Sequence, residues 1–201
     1  MLDARDLHCE RGGRTLFRHL SFSVAGGALV RVAGPNGSGK SSLLRILCGL
    51  LTPTSGEVHW RGAPIGSLRE EYAAELVYLG HAPAVKDDLT AAENLAVACR
   101  LAGRTAAPEI VRQALRGFGV PQAPLLRRLS QGQRRRAALA RLVLSASVPL
   151  WLLDEPFSAL DAEGTGLLKG LLLEHLGRGG AAVLTTHQDS GPAATQVVEL
   201  G

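Results

Sequence analysis

Eight consecutive residues of this sequence have the types and spacing needed to hold a phosphate group. They follow an apolar stretch, precede a segment with helical spacing, and read Gly34, Pro35, Asn36, Gly37, Ser38, Gly39, Lys40 and Ser41. Glycines let backbone N–H groups approach an anion, and the positive end of a helix adds to the attraction. We expect the N–H groups of residues 37–41 to surround a β-phosphate, Lys40 to reach the β- and γ-phosphates, and the Ser41 hydroxyl to be a Mg²⁺ ligand. Ser42 follows in the same turn and belongs to this predicted nucleotide-contacting set.

Two acids far downstream form a second candidate site. The apolar run Leu150–Leu153 predicts a buried strand, and Asp154 and Glu155 follow it directly. Taken alone, such acids are more often solvated residues at a strand end. Beside a phosphate-binding loop, we expect Asp154 to hold Mg²⁺ through water and Glu155 to polarise the attacking water.

A third segment opens a helix. Ser130 and Gln133 have the spacing of a capping box within Leu129-Ser130-Gln131-Gly132-Gln133. The first N–H groups of such a helix, with the serine hydroxyl, can bind an anion. By itself the segment could equally be an ordinary capped helix.

Taken together, these segments resemble the ABC ATPases. Leu129–Gln133 resembles their LSGGQ signature, with Gln131 in place of the first glycine. Thr185-Thr186-His187 resembles their switch, whose histidine contacts the γ-phosphate. Their D-loop is matched by Ser158, Ala159, Leu160 and Asp161. The resemblance implies an ATPase that uses ATP and Mg²⁺ and acts as a homodimer, in which the signature of one subunit faces the phosphate loop of the other.

Two positions depart from the usual ABC pattern. His81 stands where a glutamine normally contacts Mg²⁺ and senses the membrane partner, and a neutral imidazole could bind water or metal instead. Arg11 stands where an aromatic residue normally stacks on adenine. A guanidinium can also stack on a base, and a solvated arginine is the equal alternative.

The departures are shared with a narrower family. Tyr78-Leu79-Gly80-His81, Glu93-Asn94-Leu95 and Leu184–Gln188 resemble the ATP-binding subunit of the cytochrome c maturation system, the CcmA family, although Ala82 replaces its usual glutamine. This resemblance implies a CcmB-type membrane permease and further cytochrome c maturation proteins as partners. It also implies a peripheral location on the cytoplasmic face of the bacterial inner membrane. ATP hydrolysis would then serve haem export or release of the haem-loaded chaperone.

Other functions are compatible with parts of this pattern. The chain could serve another exporter, of lipids or drugs, and the associated permease would decide. A soluble ABC ATPase of DNA repair or translation would carry a long coiled-coil insertion or two linked ATPase domains, which this sequence lacks. A nucleotide-binding scaffold without turnover is opposed by the pair Asp154 and Glu155.

The elements that must position these residues alternate between short apolar runs and longer helical patterns. This predicts an α/β fold of the P-loop NTPase type, an ABC nucleotide-binding domain with an antiparallel β layer. Strand patterns stop in the middle of the chain, where helices are predicted over Thr90–Gly103, Pro108–Phe118 and Ser130–Ala146. Thr90 and Glu93 have the spacing of a capping box at the start of the first of these helices. We therefore expect one domain over residues 1–201, with an α/β core at about 1–82 and 147–201 and a helical lobe inserted at about 83–146.

The charge and the aromatic content of the sequence limit the classes of partner that are expected. The formal charge of +4 is mild, and the longest basic run is Arg134-Arg135-Arg136, so we read it as a feature of an arginine-rich composition. Only 4% of residues are aromatic, which disfavours a base-stacking nucleic-acid surface, and no nucleic-acid partner is expected.

Cys9, Cys48 and Cys99 fit no zinc spacing, and the sequence contains no Cys-x-x-Cys-His haem-attachment motif. The start lacks a signal-peptide pattern, and no apolar run reaches the length of a membrane span.

Overall fold

Two β-sheets and six α-helices are present in the computed structural model, which describes residues 1–186 and 191–201. The strands are β1 (Leu2–Arg11), β2 (Arg14–Val24), β3 (Leu29–Ala33), β4 (Ser55–Trp60), β5 (Ala63–Pro64), β6 (Leu76–Leu79), β7 (Leu150–Asp154), β8 (Ala181–Thr185) and β9 (Gln196–Glu199). The helices are α1 (Lys40–Leu47), α2 (Ile65–Ala74), α3 (Ala91–Leu101), α4 (Pro108–Gly117), α5 (Gln131–Leu139) and α6 (Ala162–Gly177). The expected α/β fold with an antiparallel layer is confirmed.

The parallel sheet, ordered β6-β7-β8-β3-β9, divides the apolar core in two. Along β7, Leu150 and Leu152 face a core shared with α1 and the antiparallel sheet, whereas Trp151 and Leu153 face the core under α3, α4 and α5. Strand β8 alternates in the same way, since successive side chains of a strand point to opposite faces. All five residues of each strand are buried, which explains why both read as uninterrupted apolar runs.

The antiparallel sheet, ordered β2-β1-β4-β5, contains a longer strand than the sequence pattern predicts. The apolar pattern predicts a strand only over Leu20–Val24, whereas β2 begins at Arg14 and pairs with β1 from Arg11↔Arg14 to Leu2↔Val24. Most of its first half is exposed, and register shifts interrupt the alternation of side chains. Both features hide the strand from a search for apolar periodicity.

All the secondary-structure elements between β6 and β7 are helices. Helices α3 and α5 begin with the predicted capping boxes, Thr90 with Glu93 and Ser130 with Gln133. The third predicted helix is shorter than expected, because α5 ends at Leu139 and the chain continues as a 3₁₀ helix over Ala140–Ser145.

Helix α2 was not predicted from the sequence. Its backbone is interrupted at Arg69, where φ is 28°, and only Tyr72 is buried among its ten residues. The Tyr72 hydroxyl donates to the Leu47 carbonyl at 2.6 Å, so one polar contact attaches this helix to the end of α1.

Candidate nucleotide-binding site

The phosphate-loop segment lies between the end of β3 and the start of α1. Gly34 has a φ of 143°, and a Cβ atom there would lie 2.2 Å from the Leu200 carbonyl oxygen. Gly39 has a φ of 102°, and its Cβ would lie 2.9 Å from Leu16 Cβ. Both contacts are shorter than side chains tolerate, so glycine is required at these two positions.

Lys40 closes the loop back on itself. Its ammonium group donates to the carbonyl oxygens of Gly34 at 2.7 Å and Pro35 at 2.9 Å, and the residue is only 7% exposed. The first turn of α1 holds no acidic residue. The positive end of α1 and the Lys40 ammonium therefore both make the electrostatic potential positive in the same small volume of the loop.

Asp154, the last residue of β7, is held by a threonine on the neighbouring strand. Thr185 donates from Oγ1 to Asp154 Oδ1 at 2.7 Å and accepts from the Glu155 N–H at 2.8 Å. Asp154 is 2% exposed, and its Oδ2 is buried without a hydrogen-bond partner among the described residues. A buried carboxylate oxygen without a donor is costly unless a cation or water completes its coordination.

An open cavity brings most of the predicted site residues together. Its volume is about 570 Å³, within the range of roughly 300–1,000 Å³ typical of small-molecule sites. The lining consists of loop residues, the acid pair and three others: Asn36, Gly37, Gly39, Lys40, Ser41, Ser42, Asp154, Glu155, Leu16, His81 and Ser158. Leu16 was not predicted, because nothing in its sequence context marks it as a neighbour of Gly39.

Three other predicted loop residues are placed around this cavity but not in its lining. Gly34 and Pro35 supply the carbonyls that Lys40 contacts. Ser38 has its hydroxyl buried without a hydrogen-bond partner among the described residues.

Arg11 is exposed at the end of β1, paired with Arg14, and does not line the cavity as the described residues define it. Its contact with adenine stays a prediction.

The donors in the cavity suit a hard divalent cation. The free Asp154 Oδ2 and the Ser41 hydroxyl are oxygen ligands of the kind that Mg²⁺ prefers, and Mg²⁺ commonly completes its shell with water and phosphate oxygens. The residues present therefore fit a Mg²⁺ ion accompanying a nucleotide.

The Ser130 segment faces a different space. Ser130 Oγ accepts from the Gln133 N–H at 3.2 Å, and Gln133 Oε1 accepts from the Ser130 N–H at 3.0 Å. This cap occupies two N–H groups, so the anion-binding donors that the helix end offers are the N–H groups of Gln131 and Gly132 and the Ser130 hydroxyl proton. None of residues 129–133 lines the loop cavity, whereas Gln131 lines a neighbouring one.

The segment 158–161 connects these two cavities. Ser158 lines both of them, and the Ala159 carbonyl lies 3.1 Å from where a Cβ on Gly132 would be. Leu160 packs partly buried against the core, and Asp161 caps α6 by accepting from the Gly164 N–H at 2.9 Å.

Of the two histidines predicted to belong to the site, the structure describes one. His81 is exposed just beyond β6 and lines both cavities, one of which it shares with Lys40 and the acid pair. His187 lies outside the described residues.

The loop, the acid pair and the capped helix on one parallel sheet define the nucleotide-binding domain of an ABC transporter. Residues 17–158 match the family model described as ABC transporter. A dimeric ATP-binding cassette in a post-hydrolysis state bound to ADP and Pi shares the fold, with a TM-score of 0.84, 24% identity and coverage of 100% of this chain and 94% of that chain.

Closer relatives narrow the family. The chain is 53% identical to the cytochrome c biogenesis ATP-binding export protein CcmA of Aromatoleum aromaticum, over 94% of this chain and 90% of that protein. It is 50% identical to the protein of the same name from Nitrosomonas europaea, over 94% of this chain and 89% of that protein. The chain therefore belongs to the CcmA family of ABC transporter ATP-binding subunits.

Proposed function

We propose that this chain hydrolyses ATP as a subunit of an ABC transporter complex for cytochrome c biogenesis. The hydrolysis is coupled to haem export or to release of a haem-loaded chaperone. The single observation that carries the ATPase activity is the cavity shared by Lys40, Ser41, Asp154 and Glu155. Family membership supports the role in cytochrome c biogenesis.

The chemistry divides among a few groups of this chain. Backbone N–H groups of residues 37–41 and the Lys40 ammonium bind the β- and γ-phosphates of ATP. Glu155 orients a water molecule for in-line attack on the γ-phosphate, and His187 contacts that phosphate. The Ser41 hydroxyl, and Asp154 through water, would hold Mg²⁺, which would neutralise charge that develops on the phosphate oxygens.

The separation of motifs supports a homodimer. The Ser130 helix end lines no part of the loop cavity among the described residues of its own chain, so a phosphate bound at that helix end would come from another subunit. A second copy placed face to face brings those groups to the γ-phosphate and completes two composite sites. Leu129 to Gln133 of one subunit then complete the site formed by the loop of the other.

The chain divides into a core of residues 1–82 and 147–201 and a helical subdomain of residues 83–146. The helices α3, α4 and α5 support this division, since they pack on one face of the parallel sheet beside Trp151 and Leu153. ATP-driven closure moves this subdomain, and the movement passes to the membrane partner.

A groove between the core and the helical subdomain supports docking of the membrane partner. Leu50 is 69% exposed and Leu101 is 85% exposed, and both line the groove together with the cations Lys86 and Arg141. Exposed leucines beside basic groups fit an amphipathic segment with acidic residues. The occupant is a cytoplasmic segment of a CcmB-type permease in the bacterial inner membrane, with this chain bound peripherally on the cytoplasmic face. No helix among the described residues is long and apolar enough to cross a membrane.

Two measurements test the function. Phosphate release from ATP by the wild-type chain should exceed that of the Lys40→Ala variant, either alone or with the co-expressed permease. Equal rates in both settings would refute the ATPase activity.

In a pull-down from detergent-solubilised membranes, the wild-type chain should co-purify with a CcmB-type permease, and the Leu101→Asp variant should not. Leu173→Asp is the matched control, because Leu173 is 58% exposed and does not line the groove. Capture of a different exporter's permease would refute the role in cytochrome c biogenesis.

A further inference from the structure

Arg135 makes four hydrogen bonds to backbone carbonyls at the ends of two neighbouring strands. Its Nη1 donates to Gly80 O at 2.9 Å and His81 O at 3.1 Å, just beyond β6. Its Nη2 donates to Asp154 O at 2.7 Å and Glu155 O at 2.8 Å, at the end of β7. The residue is 6% exposed, so these bonds are made in the interior.

The four carbonyls belong to the segments that carry Glu155, which is proposed to orient the attacking water, and His81, which lines the same cavity. Strands β6 and β7 pair in parallel up to Leu79↔Leu153, and beyond that point the chain leads to His81 on one side and to Glu155 on the other. A guanidinium presents its donors in a fixed plane, so one side chain can hold both strand ends in a defined relation. The carbonyls of Asp154 and Glu155 cannot move relative to the Arg135 guanidinium without weakening a hydrogen bond to a buried cation.

Arg135 also belongs to the helix that begins at Ser130. Burial lowers the pKa of its guanidinium, and the nearby carboxylates of Asp154 and Glu155 oppose that shift. The side chain therefore connects the helix that meets the partner's phosphate to the acids that act on the chain's own phosphate.

The two neighbouring arginines also make internal contacts. Arg134 donates from Nε to Leu126 O at 2.9 Å and lies 3.1 Å from Asp87. Arg136 donates to Asp161 Oδ2 at 3.0 Å, at the start of α6. From the sequence alone, the run Arg134–Arg136 is interpreted as a feature of an arginine-rich composition. In the structure, its three side chains make contacts between different elements.

We infer that Arg135 is a positioning residue, which sets the place of Glu155 and His81 according to the position of the Ser130 helix. The inference rests on the proposed ATPase function and adds a route by which closure of the helical subdomain reaches the attacking water. When the helix moves, the fork of hydrogen bonds moves the ends of β6 and β7 with it.

The first test replaces Arg135 by lysine in the full chain, which keeps the charge but removes the planar fork. We expect kcat for phosphate release to fall roughly tenfold to a hundredfold, because small displacements of reacting groups have effects of that size. ATP affinity, measured by calorimetry, should stay within roughly twofold, because the loop that binds phosphate is untouched. Arg128→Lys is the matched control, since Arg128 is exposed in the segment before the same helix. A kcat equal to that of the control, or an equal loss of affinity and kcat, would overturn the inference.

A double-variant comparison separates positioning from general stability. If Arg135 acts through Glu155, adding Arg135→Lys to Glu155→Gln should cause little further loss in single-turnover phosphate release. Full additivity of the two losses would contradict the inference. Arg135→Gln is the second variant for the same measurements if the lysine variant fails to fold.

Hydrogen–deuterium exchange tests the connection without any hydrolysis. Amides in peptides covering residues 78–83 and 152–158 should exchange faster in the Arg135→Lys variant and unchanged in Arg128→Lys. Unchanged exchange in both variants would exclude the connection. If the wild-type chain did not hydrolyse ATP, the proposed function would fail while this measurement would still decide the role of Arg135.

Discussion

The Thr185 hydroxyl donates a hydrogen bond of 2.7 Å to Asp154, which is 31 residues away in the chain. The same hydroxyl oxygen accepts from the Glu155 N–H at 2.8 Å. Parallel pairing of β7 with β8 places Asp154 opposite Thr185 and makes both contacts possible. One fully buried hydroxyl thus orients the side chain of one acid and the backbone of the next.

Replacing Thr185 by valine should test this arrangement, because valine has a similar shape but no hydroxyl. We expect the free energy of unfolding to fall by about 1–3 kcal/mol, since Asp154 would lose a donor in a buried place. Phosphate release should also slow. Denaturant unfolding and steady-state turnover measure the two effects. Thr185→Ser retains the hydroxyl and is the control; a valine variant that matched it in both measurements would show that the hydroxyl is unimportant.

Glu155→Gln should separate ATP binding from turnover. The change keeps the shape of the side chain and removes the group proposed to orient water, so kcat should fall roughly a hundredfold or more. ATP binding should persist and leave a long-lived ATP-bound dimer, which size-exclusion chromatography with light scattering would detect. Normal steady-state turnover in this variant would eliminate the proposed role of Glu155.

Lys40→Ala should weaken binding of ATP with Mg²⁺. The affinity should fall roughly tenfold to a hundredfold, because a hydrogen bond to a charged group contributes about 1.5–3 kcal/mol. Calorimetry gives the dissociation constant directly. Lys169→Ala on α6 is the control for loss of one lysine outside the cavity, and equal affinities of the two variants would contradict the assignment.

His175 should make stability depend on pH. Its ring stacks on Trp151 with centroids 3.9 Å apart, its Nε2 lies 3.2 Å from the Ala181 carbonyl, and burial lowers the pKa of the imidazole, with Arg178 adding to that shift. The folded state therefore binds fewer protons at this residue than the unfolded state does. Its contribution to stability is present above the unfolded pKa of about 6.5 and is lost as the pH falls towards the folded pKa.

The measurement is the difference in Tm between about pH 7.5 and about pH 5.5. His175→Gln removes the titrating group and should make this difference smaller than in the wild-type chain. His19→Gln is the control, because His19 is exposed on β2. An equal difference in wild type and His175→Gln would rule out the contribution.

Much of the site could be predicted because its signals are contiguous in sequence. The loop from Gly34 to Ser41 and the acid pair after β7 each combine a local element with the residues that follow it. Capping boxes are also local, which is why those of α3 and α5 were confirmed by the structure. Together these segments resemble the family to which the chain belongs.

The rest depends on contacts between distant segments, which local patterns do not encode. Thr185 contacts Asp154 only because β7 and β8 are neighbours, and Leu16 reaches Gly39 from another sheet. In the sequence Arg135 is one member of a basic run, because its four carbonyl partners lie beyond two strands that are distant in the chain. Helix α2 escaped prediction because its kink at Arg69 interrupts the helical periodicity.

The loop cavity and the Ser130 helix end lie apart within one chain, which has a genetic consequence. In the proposed homodimer, a chain carrying Lys40→Ala and a chain carrying a disruptive change at Ser130 would place both lesions in the same composite site. The opposite site then combines an intact loop with an intact helix end. Two individually inactive alleles would therefore complement each other in one cell, whereas two loop alleles would not.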